Sequence, residues 1–214
     1  MKRFVQLTLL LLPVLQMLSA QDDPKARAIL DKTAQTYKQS TCQIDFSLAI
    51  EDTKTENKQT IKGTVFMKDK KFKLTVPSIH TYYDGTTQYV HMIKNNEVSL
   101  TTPSLKDLQN INPTYILSSY TKQSSIQFSM DNNPALAYHI IDVFPDYQSK
   151  KDYYKVIVHI DKKTNNLTAI KVLNRNGIHS LLKVLNYKPN ITLNDSFFVF
   201  DYKKNPTVLI NDLR

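Results

Sequence analysis

Alternation of apolar and polar residues constrains the fold of this chain more than any other feature of its sequence. From Cys42 to Ile50 every second residue is apolar, which is the pattern of a β-strand with one buried face. The same period recurs as far as residues 197–200, and turn-forming pairs such as Asp84-Gly85 and Asn176-Gly177 separate the segments. This pattern predicts an antiparallel sheet of about ten or eleven strands.

Residues 24–38 follow helical spacing instead. Their less polar side chains fall on one stripe, formed by Ala26, Ile29, Leu30, Thr33 and Tyr37. Asp22 or Asp23 stands where a helix cap is expected, and a proline follows in the first turn. Residues 103–120 are predicted to be helical or irregular. The fold class is therefore mainly β (α+β), with an N-terminal helix and further short helices.

The first twenty residues have the layout of a secretory signal peptide. Met1-Lys2-Arg3 is a positive start, residues 4–18 are almost wholly apolar, and Ser19-Ala20 supplies small residues before a cleavage site. The apolar run of about 15 residues is shorter than the ~20 that a spanning helix needs, and an uncleaved anchor is the alternative. We predict a signal peptide at residues 1–20 and a single domain at residues 21–214.

The composition disfavours most catalytic and metal sites. Three glycines leave no room for a Gly-rich phosphate loop, and the single Cys42 rules out an internal disulfide and a cysteine-based metal cage. The five histidines form no HxH or HxxxH pair. The sequence therefore predicts no enzyme, no cofactor and no metal site, and Cys42 is interpreted as a small buried residue.

The chain is basic. Lys and Arg number 28 against 19 Asp and Glu, which gives a formal net charge of +9. Lysines cluster within residues 68–73 and at residues 150–151 and 203–204. A secreted chain without a basic helix or an RNA-binding motif is not expected to bind nucleic acid. Three interpretations stay open, namely an anionic membrane surface, an acidic protein partner and a solvated positive face.

The predicted inward face of the sheet is apolar along its whole length. It contains Phe46, Phe72, Tyr138, Ile140, Tyr154, Val156, Val158 and Ile160. One or two helices cannot cover so much apolar area. Either the sheet fills its own interior, or one side is a hydrophobic cavity that would suit a lipid or an acyl chain. Alternation alone is compatible with both.

Several motifs, taken in order along the chain, resemble one known family. They are the glycine-led strand at residues 63–68, the Asp84-Gly85 hairpin within residues 82–89, residues 112–117, and Phe198-Val199-Phe200 followed by residues 206–212. With the signal-like start and the N-terminal helix, this order resembles the LolA family of periplasmic outer-membrane lipoprotein carriers over nearly the whole mature chain.

The resemblance implies both a fold and a role. The fold would be an unclosed β-barrel, a strongly curved antiparallel sheet whose concave side is covered by the N-terminal helix and short lid helices. The role would be that of a monomeric periplasmic carrier or chaperone, which takes lipoprotein acyl chains from an inner-membrane ABC transporter to the outer membrane and to an acceptor there, where one exists. The alternatives are a carrier of another amphiphile, such as a glycolipid or lipid, and a non-enzymatic extracytoplasmic binding module.

The predicted acyl-binding cavity combines the inward face with positions that the resemblance places at its rim and lid. Its members would be Phe46, Leu48, Ile50, Val65, Phe72, Leu74, Tyr82, Tyr89, Ile116, Leu117, Tyr138, Ile140, Val156 and Val158. By the same resemblance, Lys70, Lys71 and Phe72 are candidates for a transporter contact or a lid latch. The family usually has an arginine before a proline in this turn, whereas this chain has lysines, which lack the planar bidentate fork of arginine.

Overall fold

The computed structural model describes residues 22–104, 107–108 and 120–214. In this part of the chain one long helix, α1 (Pro24–Gln39), precedes a sheet of twelve strands. The strands are β1 (Cys42–Asp52), β2 (Asn57–Lys68), β3 (Lys71–Val76), β4 (Ile79–Tyr83), β5 (Gln88–Met92), β6 (Glu97–Thr101), β7 (Ser124–Phe128), β8 (Tyr138–Pro145), β9 (Tyr153–Asp161), β10 (Leu167–Asn174), β11 (Ile178–Lys188) and β12 (Leu209–Asp212). The predicted signal peptide at residues 1–20 and the predicted lid residues Ile116 and Leu117 lie outside the described residues.

All twelve strands belong to one sheet with the order β12-β6-β5-β4-β3-β2-β1-β11-β10-β9-β8-β7. Neighbouring strands pair antiparallel, except that β12 runs parallel to β6. Because β12 and β7 stand at the two ends of this order, the sheet is not closed into a barrel. The prediction of a mainly β, unclosed sheet with an N-terminal helix is therefore confirmed.

The strand predicted at residues 197–200 is wrong. A short 3-10 helix, Asp195–Phe198, stands there, and the last strand is β12. The rings of Phe197 and Phe198 have centroids 5.5 Å apart, whereas consecutive side chains of a strand point to opposite faces. Phe197 also packs edge-on against Phe66 of β2 at 4.9 Å. Residues 195–198 therefore form a 3-10 helix that packs against the sheet, and they do not form the strand that the alternating sequence predicted.

Helix α1 begins at a well-formed cap. The Asp23 carboxylate accepts hydrogen bonds from the backbone N–H groups of Lys25 at 2.8 Å and Ala26 at 3.1 Å, and a proline occupies the first turn. The helix buries one stripe, formed by Ala26, Leu30, Thr33 and Tyr37. This stripe agrees with the helical spacing of the sequence and fixes which side of α1 faces the sheet.

The pairing register assigns every strand residue to one of two faces of the sheet, and we call the face that carries α1 the helix face. Two hydrophobic cores lie on this face. The first surrounds Ala26 and Leu30 and contains Ile126, Ile141, Val143, Tyr153, Val156, Val158, Ile160 and Ile170. The second surrounds Tyr37 and contains Cys42, Ile44, Phe46, Val65, Met67, Phe72, Tyr83 and Leu108. Cys42 is a fully buried free thiol, as predicted.

The opposite, outer face is covered in part by residues 191–208, which we call the C-terminal segment. A third core lies beneath it, where Phe200 packs with Tyr89, Val98 and Leu100. Lys68 and Lys71 fix the segment to the β2–β3 hairpin, because their ammonium groups lie 2.9 Å and 2.6 Å from the carboxylate of Asp195. The sheet therefore has an apolar layer on both sides.

The free edge of β7 is protected by residues at the start of α1. The backbone N–H of Asp23 donates to the carbonyl of Ile126 at 2.7 Å, and the N–H of Ile126 donates to the Asp22 carboxylate at 2.8 Å. Arg27 donates to the Ser124 carbonyl at 3.0 Å. These bonds satisfy edge groups that would otherwise be available to another strand.

Candidate functional site

The candidate site is the part of the helix face that extends beyond the two cores around α1. The register places six aliphatic side chains there, all of them partly exposed, and we call them the apolar wall. They are Leu48, Ile50, Ile61, Leu74, Val76 and Leu182. Leu48 stands opposite both Ile61 of β2 and Leu182 of β11, so three neighbouring strands contribute to one continuous surface.

On strands β1 to β4, burial on the helix face falls from one end of the strands to the other. On β1, Cys42 and Phe46 are buried, whereas Ile50 is partly exposed. The same gradient runs in the opposite chain direction along β4, from buried Tyr83 to Ile79, which is 38% exposed. We call the end with Cys42 and Tyr83 the closed end and the end with Ile50 and Ile79 the open end.

The rim of the open end is also apolar. Ile93, just after β5, is 39% exposed, and Ile178, the first residue of β11, is 42% exposed. Isolated apolar residues on a surface are ordinary, but Ile178 lies on the helix face two residues before the position on β11 that pairs with Ile50 of the wall. Covering a surface of this kind with an apolar group is favourable by about 25 cal/mol per Å² of area removed from water.

The chemistry of the wall suits an alkyl chain and offers little to a polar group. The backbone N–H and C=O groups of the inner strands β1 to β3 are engaged in the ladder between strands, so they are not available to a ligand. The wall side chains are aliphatic and carry no hydrogen-bond donor or acceptor. Such a surface recognises methylene groups by area and leaves a polar headgroup outside.

Gly63 lies on the helix face between the second core and the apolar wall. Its pairing partner on β1 is Phe46, and a Cβ on Gly63 would lie 2.6 Å from Cζ of Phe46 and 2.7 Å from the backbone oxygen of Thr75. The end of the Phe46 ring therefore occupies the space that a side chain at position 63 would fill. In the sequence this glycine begins a family-like strand, and the structure shows what requires it.

Eight of the predicted cavity residues share the helix face, in two groups. Leu48, Ile50 and Leu74 are partly exposed members of the apolar wall. The others are buried in the two cores, namely Phe46, Val65, Phe72, Val156 and Val158. The buried group supports the wall from the closed end and from beneath α1.

Tyr82 and Tyr89 lie on the outer face, so the prediction of their side is wrong. They are paired with each other across β4 and β5, and the ring centroid of Tyr82 lies 5.8 Å from that of Phe200 in the C-terminal segment. Tyr89 belongs to the third core. Both tyrosines hold the C-terminal segment and are separated from the wall by the sheet.

Tyr138 and Ile140 also lie on the outer face, contrary to prediction. Ile140 pairs with His159, whereas its neighbour Ile141 pairs with Val158 and faces α1. Tyr138 stacks on His159, with ring centroids 4.9 Å apart. Ile140 and Ile141 are apolar at consecutive positions, so the sequence pattern does not identify which of them faces inward.

The predicted inward position of Tyr154 is likewise wrong. The β9–β10 register shifts between Leu173 and Asn174, next to the start of β9, and this irregularity puts Tyr153 in the first core. Tyr154 is 42% exposed. A single extra residue at a strand end is enough to change which of two adjacent tyrosines is buried.

The three candidates for a transporter contact or lid latch occupy different surroundings. Phe72 is fully buried in the second core, with its ring centroid 5.7 Å from that of Tyr83, so it offers no surface to a partner. Lys71 forms an ion pair with Asp195 on the outer face. This contact holds the C-terminal segment, which lies on the opposite side of the sheet from the apolar wall. Lys70 is exposed in the turn between β2 and β3, and its role as a latch stays a prediction.

The sequence does not reveal the contacts that hold the C-terminal segment. The ammonium nitrogen of Lys73 lies 4.5 Å from the ring centroid of Phe197 and 4.9 Å from that of Tyr82. Burial lowers the pKa of Lys73, and the nearby charge of Lys204 lowers it further. The lysine cluster at residues 68–73 suggests a charged surface in the sequence, whereas three of its members bind this segment in the structure.

Several titratable groups elsewhere in the described part of the chain are buried or partly buried. Burial lowers the pKa of His80, His139 and His159, which favours their neutral forms. Asp142 is buried on the outer face with its carboxylate 2.7 Å from the Lys155 ammonium group. Within residues 22–104, 107–108 and 120–214, no three His, Cys, Asp or Glu side chains converge on a point where a metal ion would fit.

Comparison with known proteins gives one family and several related folds. The family model described as "Outer membrane lipoprotein carrier protein LolA" matches residues 17–177, which is more than half of the chain. No curated protein matches the sequence. Among the helices that the structure describes, none is long and apolar enough to span a membrane.

Solved structures are similar to this chain at low sequence identity. An uncharacterized conserved protein from Thermus thermophilus has a TM-score of 0.58 and 11% identity, over 88% of this chain and 99% of that chain. LprF from Mycobacterium bovis has a TM-score of 0.47 and 11% identity, over 81% and 98%. The LolA superfamily protein NE2245 from Nitrosomonas europaea has a TM-score of 0.44 and 14% identity, over 83% and 98%.

Proposed function

The chain belongs to the LolA family of outer membrane lipoprotein carrier proteins, and from this membership we propose that it is a periplasmic carrier that binds lipoprotein acyl chains on its helix face. The observation that carries the proposal is the apolar wall. Its side chains are aliphatic, partly exposed and continuous with a buried core, and they extend to an apolar rim. An acyl chain laid along β1 to β3 would cover this surface.

The energetics of acyl transfer explain why such a protein is needed. Each methylene exposed to water costs about 0.8 kcal/mol, so two or three acyl chains cost on the order of tens of kcal/mol. A carrier lowers that cost by covering the chains. It must also release them, and a wall without fixed polar contacts binds by area alone, so a membrane or another apolar surface can compete for the chain.

The carrier performs no covalent chemistry in this proposal. Loading would come from an inner-membrane ABC transporter, and delivery would be to the outer membrane, directly or through an acceptor protein. Residues 1–20 would serve as a signal peptide that brings the domain at residues 21–214 into the periplasm, where it would act as a monomer. The transporter, the delivery route, the signal peptide and the monomeric state are proposed from family membership and from the sequence, and the apolar wall does not bear on them.

A charge placed on the wall tests the proposal. In the Leu48→Glu variant a carboxylate stands in the middle of the wall, and burying it under an acyl chain is costly. We expect affinity for a fluorescent fatty acid such as cis-parinaric acid to fall at least about tenfold, or 1.4 kcal/mol. Ser47→Glu is the matched control, because Ser47 is the preceding residue and lies on the outer face, opposite Lys62 and Lys183.

The control should bind the fatty acid like the wild type, and circular dichroism should show the same sheet content in all three proteins. Equal fatty-acid affinity in the two variants would show that the apolar wall is not the binding surface. The cargo itself can be identified by mass spectrometry of gently purified protein. A triacylated lipoprotein would support the proposal, another lipid would favour the amphiphile carrier, and an empty protein would favour a binding module.

A further inference from the structure

A loop at the open end presents an aromatic side chain to solvent. Residues 146–152 connect β8 to β9 and contain the short 3-10 helix Tyr147–Ser149, in which Tyr147 is 97% exposed. The loop is held by backbone hydrogen bonds from Asp146 to the Gln123 carbonyl at 2.8 Å and from Ser149 to the Asp146 carbonyl at 2.9 Å. Tyr147 therefore projects from a fixed position.

Three cationic residues line one cleft with this tyrosine. The backbone N–H of Arg175, in the β10–β11 turn, donates to the Asp152 carbonyl at 2.8 Å, which fixes that turn against the loop. A cleft of about 450 Å³ lies between them, lined by Asp146, Tyr147, Gln148, Lys150, Lys151 and Arg175. In the described part of the chain, no ion pair engages Lys150, Lys151 or Arg175.

This basic and aromatic loop stands at the same end of the sheet as the opening of the apolar wall. Antiparallel pairing puts the end of β1, the start of β11, the end of β10 and the start of β9 at the same end of the sheet as the loop. The exposed rim residues Ile79, Ile93 and Ile178 belong to this end. One end of the molecule thus combines an acyl-binding surface, an exposed aromatic ring and unpaired positive charge.

These features together match the surface of an anionic bilayer. Aromatic side chains with a polar tip favour the headgroup region, and each lysine or arginine near an anionic surface is attracted to it. Charge alone would suit an acidic protein equally well. The apolar rim at the same end favours the bilayer, because Ile178 begins β11 directly after the turn that holds Arg175, and an acyl chain could then pass between lipid and wall without crossing water.

We propose that the open end docks on an anionic phospholipid surface, with Tyr147 among the headgroups and Lys150, Lys151 and Arg175 against the phosphates. This inference rests on the proposed function, since it supplies the contact through which acyl cargo is loaded or delivered. It adds a partner and a docking orientation, with the apolar wall facing the membrane at its open end.

The absence of tryptophan from the chain gives a direct test. A Tyr147→Trp variant carries one tryptophan at the proposed contact, and its emission should shift to shorter wavelength by about 10 nm on vesicles of phosphatidylglycerol and phosphatidylcholine. Phosphatidylcholine vesicles alone, or raised salt, should abolish the shift. Met130→Trp is the matched control, because Met130 is 101% exposed in the β7–β8 connection at the closed end, and its emission should not change.

Charge reversal supplies the second measurement. In vesicle sedimentation, Lys150→Glu/Lys151→Glu should lower binding at least about tenfold, because each basic residue contributes separately at an anionic surface. Lys203→Glu/Lys204→Glu changes the net charge equally at two exposed lysines of the C-terminal segment, and it should lower binding by no more than about twofold.

Equal losses in the two charge variants, or equal emission shifts at positions 147 and 130, would overturn the docking orientation. A shift of the Tyr147→Trp variant with polyglutamate but not with anionic vesicles would overturn it in favour of an acidic protein partner. Fatty-acid binding measured without vesicles separates this inference from the proposed function. Normal fatty-acid binding with no vesicle binding rejects only the docking, whereas vesicle binding without fatty-acid binding rejects the carrier.

Discussion

The ring of Phe46 on β1 lies over Gly63 on β2, at a distance that leaves no room for a Cβ at that position. A methyl group on Gly63 would also meet the backbone oxygen of Thr75 at 2.7 Å and Cγ1 of Val76 at 2.9 Å. The Phe46 ring and the Val76 methyl group can move, but the Thr75 oxygen belongs to the neighbouring strand β3, which pairs with β2. The contact therefore couples the position of the Phe46 ring to the packing of three neighbouring strands.

We expect Gly63→Ala to lower the free energy of unfolding by about 1–3 kcal/mol, since overpacking forces side chains and backbone to shift. The measurement is urea unfolding followed by circular dichroism. A Gly63→Ala/Phe46→Leu double variant removes the ring clash and keeps the clash with Thr75, so we expect it not to regain full stability. An unchanged urea midpoint in the single variant would show that the wall adapts freely at this position.

Local periodicity is sufficient to predict most strands and the helix. For some strand residues it does not predict which face of the sheet their side chains lie on. Between Cys42 and Ile50 every second residue is apolar, and the pairing register confirms that these residues share one face of the sheet. From Tyr138 to Ile141 the residues on both faces are apolar or aromatic, because the outer face is itself closely packed there. A sequence pattern reports burial, and it cannot distinguish two buried faces from each other.

The coverage of the outer face near β4 to β6 depends on a contact remote in sequence. Tyr82 and Tyr89 resemble cavity residues because they are aromatic and sit beside a family-like hairpin. They are covered by Phe200, more than 100 residues later, and no local signal identifies that partner. The apolar wall, by contrast, follows largely from strands that are neighbours in sequence, and Leu48, Ile50 and Leu74 are predicted from the sequence.

The cap of α1 is expected to make a measurable contribution to stability. Asp23→Ala removes the acceptor of two backbone N–H groups in the first turn and should lower the free energy of unfolding by about 1 kcal/mol. For a chain of this size the melting temperature should fall by about 2–4 °C. Asp31→Ala is the control, because Asp31 is exposed in the body of α1. If the two variants have the same melting temperature, the cap is not a stabilising contact.

The thiol of Cys42 should be unreactive in the folded protein. It is fully buried, and burial raises its pKa to about 12, so almost no thiolate forms at neutral pH. We expect Ellman's reagent at pH 8 to modify the native protein at least about 100-fold more slowly than the protein unfolded in guanidinium chloride. Fast modification of the native protein would mean that the closed end of the sheet opens readily.

The ion pairs of Asp195 should control how firmly the C-terminal segment lies on the sheet. Asp195→Asn removes the carboxylate that both Lys68 and Lys71 bind, so trypsin should cleave after Lys203 and Lys204 several times faster than in the wild type. Asp69→Asn is the matched control, because it removes the same charge in the turn between these two lysines. Equal cleavage of the two variants would assign the attachment to the aromatic contacts alone.

The same ion pairs predict how the segment responds to acid. Hydrogen bonds from Lys71 and Lys68 lower the pKa of Asp195 to about 2, below its ordinary value of 3.8. Because the folded-state pKa is the lower one, the contribution is complete above about pH 4 and is lost as the pH falls towards 2. Pepsin cleavage near Phe197 and Phe200, expressed relative to the Asp195→Asn variant at the same pH, should therefore rise between pH 4 and pH 2. A ratio that stays constant over this range would show that the ionised carboxylate does not hold the segment.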